Sequence, residues 1–290
     1  MYQKDILRDY IKESELRVFN DKIKVRLSKE LAIKYDQGIY NNYFKNMDKY
    51  FNMIGNLNIK YLGNANPILY IYIVPDDNYA ELLKIPSIFD SGTGGGKPVP
   101  CYDLEGFNKA LGISQNLCEK FSNIENISRV ENEIHELSHI IHNQFFSKNS
   151  IISEGFAEAL PLYALGLEEQ FEEHRTALKN MKEEQIYTAQ ELLNSERNNT
   201  YGSEALLPDK SCSFRLSYIS SYLFVRGCLE KISQTFNIKK EETIQHFLEI
   251  VKQSNSTNEW LIFDIADAIN IPRDTLLNGK EMQKDILKKI

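Results

Sequence analysis

One segment near the middle of this 290-residue chain is predicted to be an amphipathic helix that carries a cluster of polar residues. The apolar residues in and around it are Ile127, Val130, Ile134, Leu137, Ile141 and Phe145. Their steps of three and four predict a half-buried helix over about 127–146. His135 and His139 lie within this segment, four residues apart. A helix would therefore place both imidazoles on the same face.

The two histidines enclose a carboxylate, in the string His135-Glu136-Leu137-Ser138-His139. Zinc binds imidazole nitrogens at about 2.0 to 2.1 Å, and two histidines one helical turn apart can both reach a single ion. This is the HExxH pattern of zinc hydrolases, in which the glutamate faces the metal-bound water. The pattern also occurs by chance, as two core histidines beside a surface glutamate, so the surrounding residues must support it.

A third metal ligand is expected downstream, because a catalytic zinc usually has three protein ligands. The candidates are Glu154 and Glu158, in the segment Ser153-Glu154-Gly155-Phe156-Ala157-Glu158. We expect Ser153 to cap a short helix that carries both carboxylates on one face. One glutamate would bind zinc, and the other would accept a hydrogen bond from a liganding imidazole and fix its orientation.

These two segments together resemble the gluzincin metallopeptidases, in which a helix with a glutamate ligand follows HExxH. Glu154-Gly155-Phe156-Ala157 is similar to the Asn-Glu-Gly-Phe-Ala stretch of aminopeptidase N-like gluzincins, which implies that Glu154 is the zinc ligand. Glu158 stands where thermolysin-like enzymes place a carboxylate behind the first histidine. The aminopeptidases keep eighteen residues between the second histidine and the ligand, which here would select Glu158. We favour Glu154, because loop length varies more readily than the chemistry of a helix start.

His142 suggests another family, the metzincins, in which a third histidine binds the metal. There the third histidine lies six residues beyond the second and follows a glycine, whereas His142 lies three residues after His139. On a continuous helix His142 would be about 10.5 Å along the axis from His135, too far to share one ion. We expect His142 to be a helix-face residue near the site or a surface histidine.

A second resemblance to the gluzincins lies in the stretch from Phe214 to Arg226. Many of those peptidases have a helix with a Tyr ahead of a Ser-x-hydrophobic run, and the Tyr hydroxyl turns toward the site. Tyr218 is the matching residue, which implies that it donates a hydrogen bond to the substrate carbonyl. An ordinary packing role is the alternative, since the chain has 16 tyrosines.

The order of sequence patterns predicts an α+β, zincin-like fold. Strands are expected at 22–27, 67–74 and 99–102, and a long helix from Ser28 to about Met53. Further helices are expected near 168–195, 213–234, 239–253, 257–269 and 272–288. We expect an N-terminal α/β lobe over 1–126, a helical lobe over 127–290 that carries the zinc site, and a zinc cleft between them. By resemblance to gluzincins, Val99–Cys101 would be an edge strand that pairs with an extended peptide.

Composition restricts the partners and the location. A net charge of −7 and a pI near 5.4 argue against nucleic-acid binding. No stretch approaches the roughly 18 apolar residues of a membrane span, so no membrane partner is expected. Four cysteines without a CxxC pair and a charged N-terminal stretch without a secretory signal favour a cytoplasmic protein. The cysteines are Cys101, Cys118, Cys212 and Cys228.

The expected function is that of a zinc metallopeptidase with one catalytic Zn²⁺ and a peptide or protein substrate. Zinc held by His135, His139 and Glu154 would activate water, and Glu136 would act as general base. An intracellular endopeptidase or peptide-processing protease is favoured, because the chain has no Gly-x-Met-Glu-Asn segment of the kind that holds a free amine in the aminopeptidases. The alternatives are an inactive zincin-fold binding module, which an intact Glu136 disfavours, and a zinc amide hydrolase with a non-peptide substrate.

Overall fold

The computed structural model describes most of the chain and shows a mixed α+β protein. The described residues are 12–56, 69–74, 99–102, 109–123, 134–135, 137–138, 150–167, 171–198, 200–201, 216–254 and 259–290. The chain divides into two compact units, Met1–Ile141 and His142–Ile290. The predicted fold class, α+β, is confirmed at this level.

A mixed sheet forms the centre of the first unit. Its described strands are β1 (Glu15–Val18), β2 (Ile23–Leu27), β3 (Leu69–Val74), β4 (Val99–Tyr102) and β5 (Lys109–Ser114). Their order is β1-β2-β3-β5-β4, with β2, β3 and β5 parallel and both outer strands antiparallel to their neighbours. Residues 69–73 of β3 are all buried, as expected for a continuous apolar run at the centre of a sheet.

The strands expected at 22–27, 67–74 and 99–102 are confirmed over Ile23–Leu27, Leu69–Val74 and Val99–Tyr102. β4 lies at one end of the strand order, so the edge position expected for Val99–Cys101 is also confirmed among the described strands. In β4, Pro100 stands opposite Leu111 of β5. A proline offers no N–H to a ladder, which is tolerated at an edge and rarely in a central strand.

Helices accompany the sheet in the first unit, among them α1 (Lys29–Asp36), α2 (Asn41–Asn56) and α3 (Gln115–Ser122). The predicted start of α1 is confirmed, since the Ser28 side chain accepts a hydrogen bond from the Leu31 amide. The expectation of one helix up to Met53 is wrong, because the chain turns between α1 and α2. Gly38 has a φ of +80° at that turn, a left-handed conformation that ends a helix and that glycine adopts without strain.

The described part of the second unit is helical. Its helices are α4 (Ser150–Ala159), α5 (Glu172–Asn180), α6 (Ala189–Arg197), α7 (Leu216–Phe236), α8 (Lys240–Gln253), α9 (Glu259–Ala268), α10 (Arg273–Asn278) and α11 (Glu281–Leu287). α4 continues directly into a π-helical turn over Leu160–Ala164. The helices expected at 213–234, 239–253 and 257–269 correspond to α7, α8 and α9.

Two of the expected helices are each divided in the structure. The one expected over 168–195 consists of α5 and α6, because Thr188 caps α6 by accepting from the Glu191 amide while Glu191 accepts from the Thr188 amide. The one expected over 272–288 is divided at Gly279 into α10 and α11. Periodicity continues across both breaks, whereas the caps set the ends of the helices.

α7 is the central helix of the second unit and packs against α4, α8 and α11. Every residue of this helix from Ile219 to Leu229 is buried. A helix buried on every side is typical of the core of a helical domain. None of the described helices is both long and apolar enough to cross a membrane.

Candidate active site

The HExxH segment lies only partly within the described residues. Ile134, His135, Leu137 and Ser138 are helical, whereas Glu136, His139 and the neighbouring His142 lie outside the described residues. The Ser138 hydroxyl donates to the Ile134 carbonyl at 2.7 Å, a bond that spans one helical turn. Ile134 and Leu137 are fully buried and His135 is half-buried. The predicted helix and its buried face are therefore confirmed at these positions.

Glu154 and Glu158 lie one turn apart on α4, and their common face is confirmed. The expectation that Ser153 caps this helix is wrong, because α4 begins at Ser150. The earlier start buries the side chains of Ile151 and Ile152 completely, which favours one further helical turn. The two glutamates are only 9% and 6% exposed. A buried carboxylate is costly unless a charge, a hydrogen bond or a metal compensates it.

Glu158 contacts a histidine that the sequence did not single out. Its Oε2 atom lies 3.3 Å from Nδ1 of His174 on α5, and the His174 side chain is 1% exposed. The His174 ring stands edge-on to the ring of Tyr222 on α7, with centroids 4.7 Å apart and planes at 84°. His174 lies 16 residues after Glu158 and on a different helix, so no sequence spacing could have indicated this pair.

The contacts that begin at Glu158 and His174 continue along α7 from Tyr222 to the guanidinium of Arg226. Arg226 Nη1 donates to the Tyr222 hydroxyl at 2.6 Å, and its guanidinium also stacks over the ring of Tyr163, 5.6 Å from the centroid. Arg226 is itself buried, and its Nε lies 3.5 Å from Oε1 of Glu230. Glu158 is therefore one end of a polar row that crosses the helical core.

Glu154 lies near a different kind of group, the phenol of Tyr201. The Tyr201 hydroxyl lies 2.7 Å from Oγ of Ser221, and the Tyr201 ring lies 5.8 Å from the ring of Tyr218 at an angle of 48°. Burial is the main cause that raises the pKa of Tyr201 well above 10, and the nearby charge of Glu154 raises it further. Tyr201 is therefore a neutral phenol at physiological pH. Tyr218, the predicted hydrogen-bond donor, and Glu154, the predicted ligand, thus share Tyr201 as a neighbour.

Gly155 explains how α4 reaches α7 so closely. A Cβ atom at this position would lie 2.3 Å from the Ser221 carbonyl oxygen and 2.6 Å from Cγ2 of Val225. Only glycine allows that approach of two helix backbones. The glycine of the Glu154-Gly155 pair therefore serves helix packing, and it brings Glu154 to the part of α7 that carries Tyr218.

The predicted zinc ligands consist of two imidazoles and a carboxylate, a donor set that suits zinc. Among the described side chains, no group of three or more His, Cys, Asp and Glu residues could hold a metal ion. That search does not include His139, which lies outside the described residues. The burial of Glu154 fits a liganding carboxylate, and the ligand set stays a prediction.

No protein-family model matches this chain, and neither does any curated protein or solved structure. The functional argument therefore depends on the chemistry and positions of the chain's own residues. The resemblance to gluzincins depends on the HExxH segment, on Glu154–Glu158 and on the Tyr218 helix.

Proposed function

We propose that this protein is a zinc-dependent metallopeptidase of the gluzincin type with a zincin fold, which hydrolyses bonds in a peptide or protein substrate. The observation that carries the proposal is the environment of α4, the helix that follows the motif. It holds two buried carboxylates one turn apart, one paired with His174 and the other beside the phenol Tyr201. Two buried acids with different partners are suited to two different roles.

The residues proposed to hold the ion are His135, His139 and Glu154. When bound, zinc polarises the scissile carbonyl and lowers the pKa of a coordinated water toward 7. Glu158, whose Oε2 atom lies 3.3 Å from Nδ1 of His174, is the alternative ligand. We favour Glu154 because Glu154-Gly155-Phe156-Ala157 resembles the ligand segment of the aminopeptidase N-like gluzincins. In this proposal Glu158 is a positioning residue for the site.

Two further side chains take part in the proposed reaction, one in proton transfer and the other in stabilising the developing negative charge. Glu136 accepts a proton from the attacking water and delivers it to the leaving amine. Tyr218 donates a hydrogen bond to the carbonyl oxygen, on which negative charge develops. The nearby Tyr201 and Ser221 hold the surroundings of Tyr218 in one arrangement.

The substrate is proposed to be an extended peptide that adds to the edge strand β4. An edge strand offers N–H and C=O groups for such pairing, and β4 has this edge position among the described strands. A cytoplasmic enzyme, either an endopeptidase or a peptide-processing protease, is proposed. The buried free thiols of Cys118 and Cys228 support a reducing location.

The decisive experiment is incubation of the zinc-loaded protein with a diverse peptide mixture, followed by mass spectrometry of the products. The matched control is Glu136→Gln, which keeps the size of the side chain and removes its basicity. We expect cleavage by the wild type and a loss of about 10² to 10⁴ in rate for the variant, with zinc content unchanged. Internal cut sites would identify an endopeptidase.

Near-full activity of Glu136→Gln would remove the glutamate from the mechanism and the gluzincin assignment with it. Zinc binding without cleavage by the wild type would instead favour a binding module. Release of a non-peptide amide product, with peptides left intact, would indicate an amide hydrolase of another substrate class.

A further inference from the structure

Tyr201 is held in place by a set of hydrogen bonds at the end of α6. The Ser195 carbonyl accepts from the amides of Thr200 and Tyr201, at 2.9 Å and 3.2 Å. The Thr200 hydroxyl lies 3.2 Å from that carbonyl and 3.2 Å from the Ser195 hydroxyl. Thr200 and Tyr201 are thus both hydrogen-bonded to the same carbonyl of α6. These bonds fix the backbone position from which the Tyr201 side chain extends.

The Tyr201 side chain makes two contacts with the same face of α7. Its hydroxyl lies 2.7 Å from the hydroxyl of Ser221, which is fully buried, and its ring lies 5.8 Å from the ring of Tyr218. Tyr218 and Ser221 are three residues apart, so they are neighbours on the helix surface. Ser221 is also the residue whose carbonyl lies against Gly155, next to Glu154. Tyr201 thus contacts α7 where that helix meets α4.

We propose that Tyr201 is a positioning residue, which holds the phenol of Tyr218 beside Glu154 for the reaction. This inference rests on the proposed peptidase function. The Tyr201 hydroxyl is engaged by Ser221, and its ring supports one side of the Tyr218 ring. Tyr201 therefore acts through Tyr218 and does not itself touch the substrate.

The physical reason is that a hydrogen-bond donor stabilises developing charge best when it is already in position. A donor that must reorient during the reaction loses part of its stabilisation, and small displacements of reacting groups can cost up to about 10² in rate. Tyr201→Phe removes a single oxygen and keeps the ring. In that variant Ser221 can donate to a carbonyl of its own helix, so no buried hydroxyl is left unsatisfied.

The kinetic test compares four proteins: the wild type, Tyr201→Phe, Tyr218→Phe and the double variant. We expect Tyr201→Phe to lower kcat by about tenfold, with KM and zinc content unchanged. Adding it to Tyr218→Phe should lower kcat no further, because the residue that it positions has lost its hydroxyl. Ser221→Ala should reproduce the effect of Tyr201→Phe.

The matched control is Tyr35→Phe in the first unit. Tyr35 is also half-buried and also packs on an aromatic ring, that of Phe44 at 5.6 Å. It should leave kcat and KM unchanged. A general sensitivity of the protein to loss of a phenol would appear in this variant as well.

A spectroscopic test reports on Tyr218 without any turnover. With 3-fluorotyrosine at position 218, the ¹⁹F resonance should shift or broaden in Tyr201→Phe and stay unchanged in Tyr35→Phe. An unchanged resonance in Tyr201→Phe would overturn the inference even if the wild type cleaved no peptide.

The kinetic outcomes separate the two proposals. Absence of cleavage by the wild type would count against the proposed function. Cleavage by the wild type with an unchanged kcat in Tyr201→Phe would overturn the positioning role alone. Losses that multiply in the double variant would also overturn it, since Tyr201 would then act on the substrate independently of Tyr218.

Discussion

At the scale of single residues, the two glutamates of α4 are alike in burial and differ in their partners. Oε2 of Glu158 lies 3.3 Å from Nδ1 of the buried imidazole of His174. Glu154 lies near a neutral phenol, Tyr201, which brings no positive charge to it. The two carboxylates therefore have different surroundings, and substitution at both positions tests which of them is the ligand.

Loss of metal on substitution should therefore differ between the two positions. Zinc affinity, measured by competition with a chelator, should fall by more than about 100-fold in Glu154→Ala and by about 10- to 100-fold in Glu158→Ala. The exposed Glu184 supplies the control, since Glu184→Ala removes an equal charge that lies outside α4. The reverse order of affinities would exchange the roles of Glu154 and Glu158.

Residue patterns predicted part of the candidate site. The one-turn spacing of Glu154 and Glu158 was enough to place them on one face, and the steps around Ile134 and Leu137 indicated the buried side of the motif helix. Spacing could not identify His174 or Tyr201, because both reach α4 and α7 through the tertiary fold. Neither His174 nor Tyr201 stands in a sequence motif that indicated a role.

At the scale of helices, the close contact between α4 and α7 depends on Gly155, which has no side chain. Gly155→Ala should lower the free energy of unfolding by about 1 to 3 kcal/mol, because the added methyl group meets the backbone of α7. Gly227→Ala is the matched control within α7. The atoms nearest to its methyl group would all belong to the side chain of Met282, which is flexible enough to move.

Urea denaturation of both variants measures the difference. Since alanine is favoured over glycine in a helix by up to about 1 kcal/mol, Gly227→Ala should be close to neutral. Equal losses of stability in the two variants would show that the close approach at Gly155 is not tighter than an ordinary side-chain contact.

Most helices and the strands β2, β3 and β4 could be predicted from sequence patterns, whereas the central strand β5 and the helix ends could not. The run at Leu69–Val74 is apolar throughout, so the burial of residues 69–73 was evident. The turn at Gly38 and the cap at Thr188 interrupt patterns whose apolar steps continue on both sides. β1 was missed because it has only four residues, too few for its alternation of polar and apolar residues to stand out, and its apolar Leu16 and Val18 are exposed.

At the scale of the whole molecule, the chain forms two compact units, and the boundary between them along the sequence follows Ile141. The lobes expected from sequence were 1–126 and 127–290, with the motif at the start of the second. In the structure His135 belongs to the first unit, and Glu154 and Tyr218 belong to the second. Sequence patterns indicate which segments form helices and strands, whereas the division into units depends on which of these elements pack together.

The first unit should be sensitive to acid through the contact between α1 and α3. Glu119 accepts hydrogen bonds from Lys34 Nζ at 2.7 Å and from the side-chain Nε2 of Gln115 at 2.9 Å. These two bonds lower the pKa of Glu119 below 4.5. Because the folded state holds the carboxylate ionised, the stabilisation is present above about pH 4.5 and is lost as pH falls through the lower folded pKa.

The measurement is urea unfolding of the wild type and of Glu119→Gln at about pH 7 and at about pH 3.5. The variant should be less stable than the wild type at the higher pH and should lose less stability on acidification. An identical pH dependence in the two proteins would show that the Lys34–Glu119 pair does not contribute.

Among the described side chains, each unit contains one buried free thiol: Cys118 in α3 and Cys228 in α7. Both are fully shielded from solvent, and burial strongly raises the pKa of the Cys228 thiol. A thiol in this state reacts with an alkylating reagent only when the surrounding structure opens. The wild-type chain thus carries two natural reporters of local opening, and the rate at which each becomes modified measures the opening free energy of its own unit.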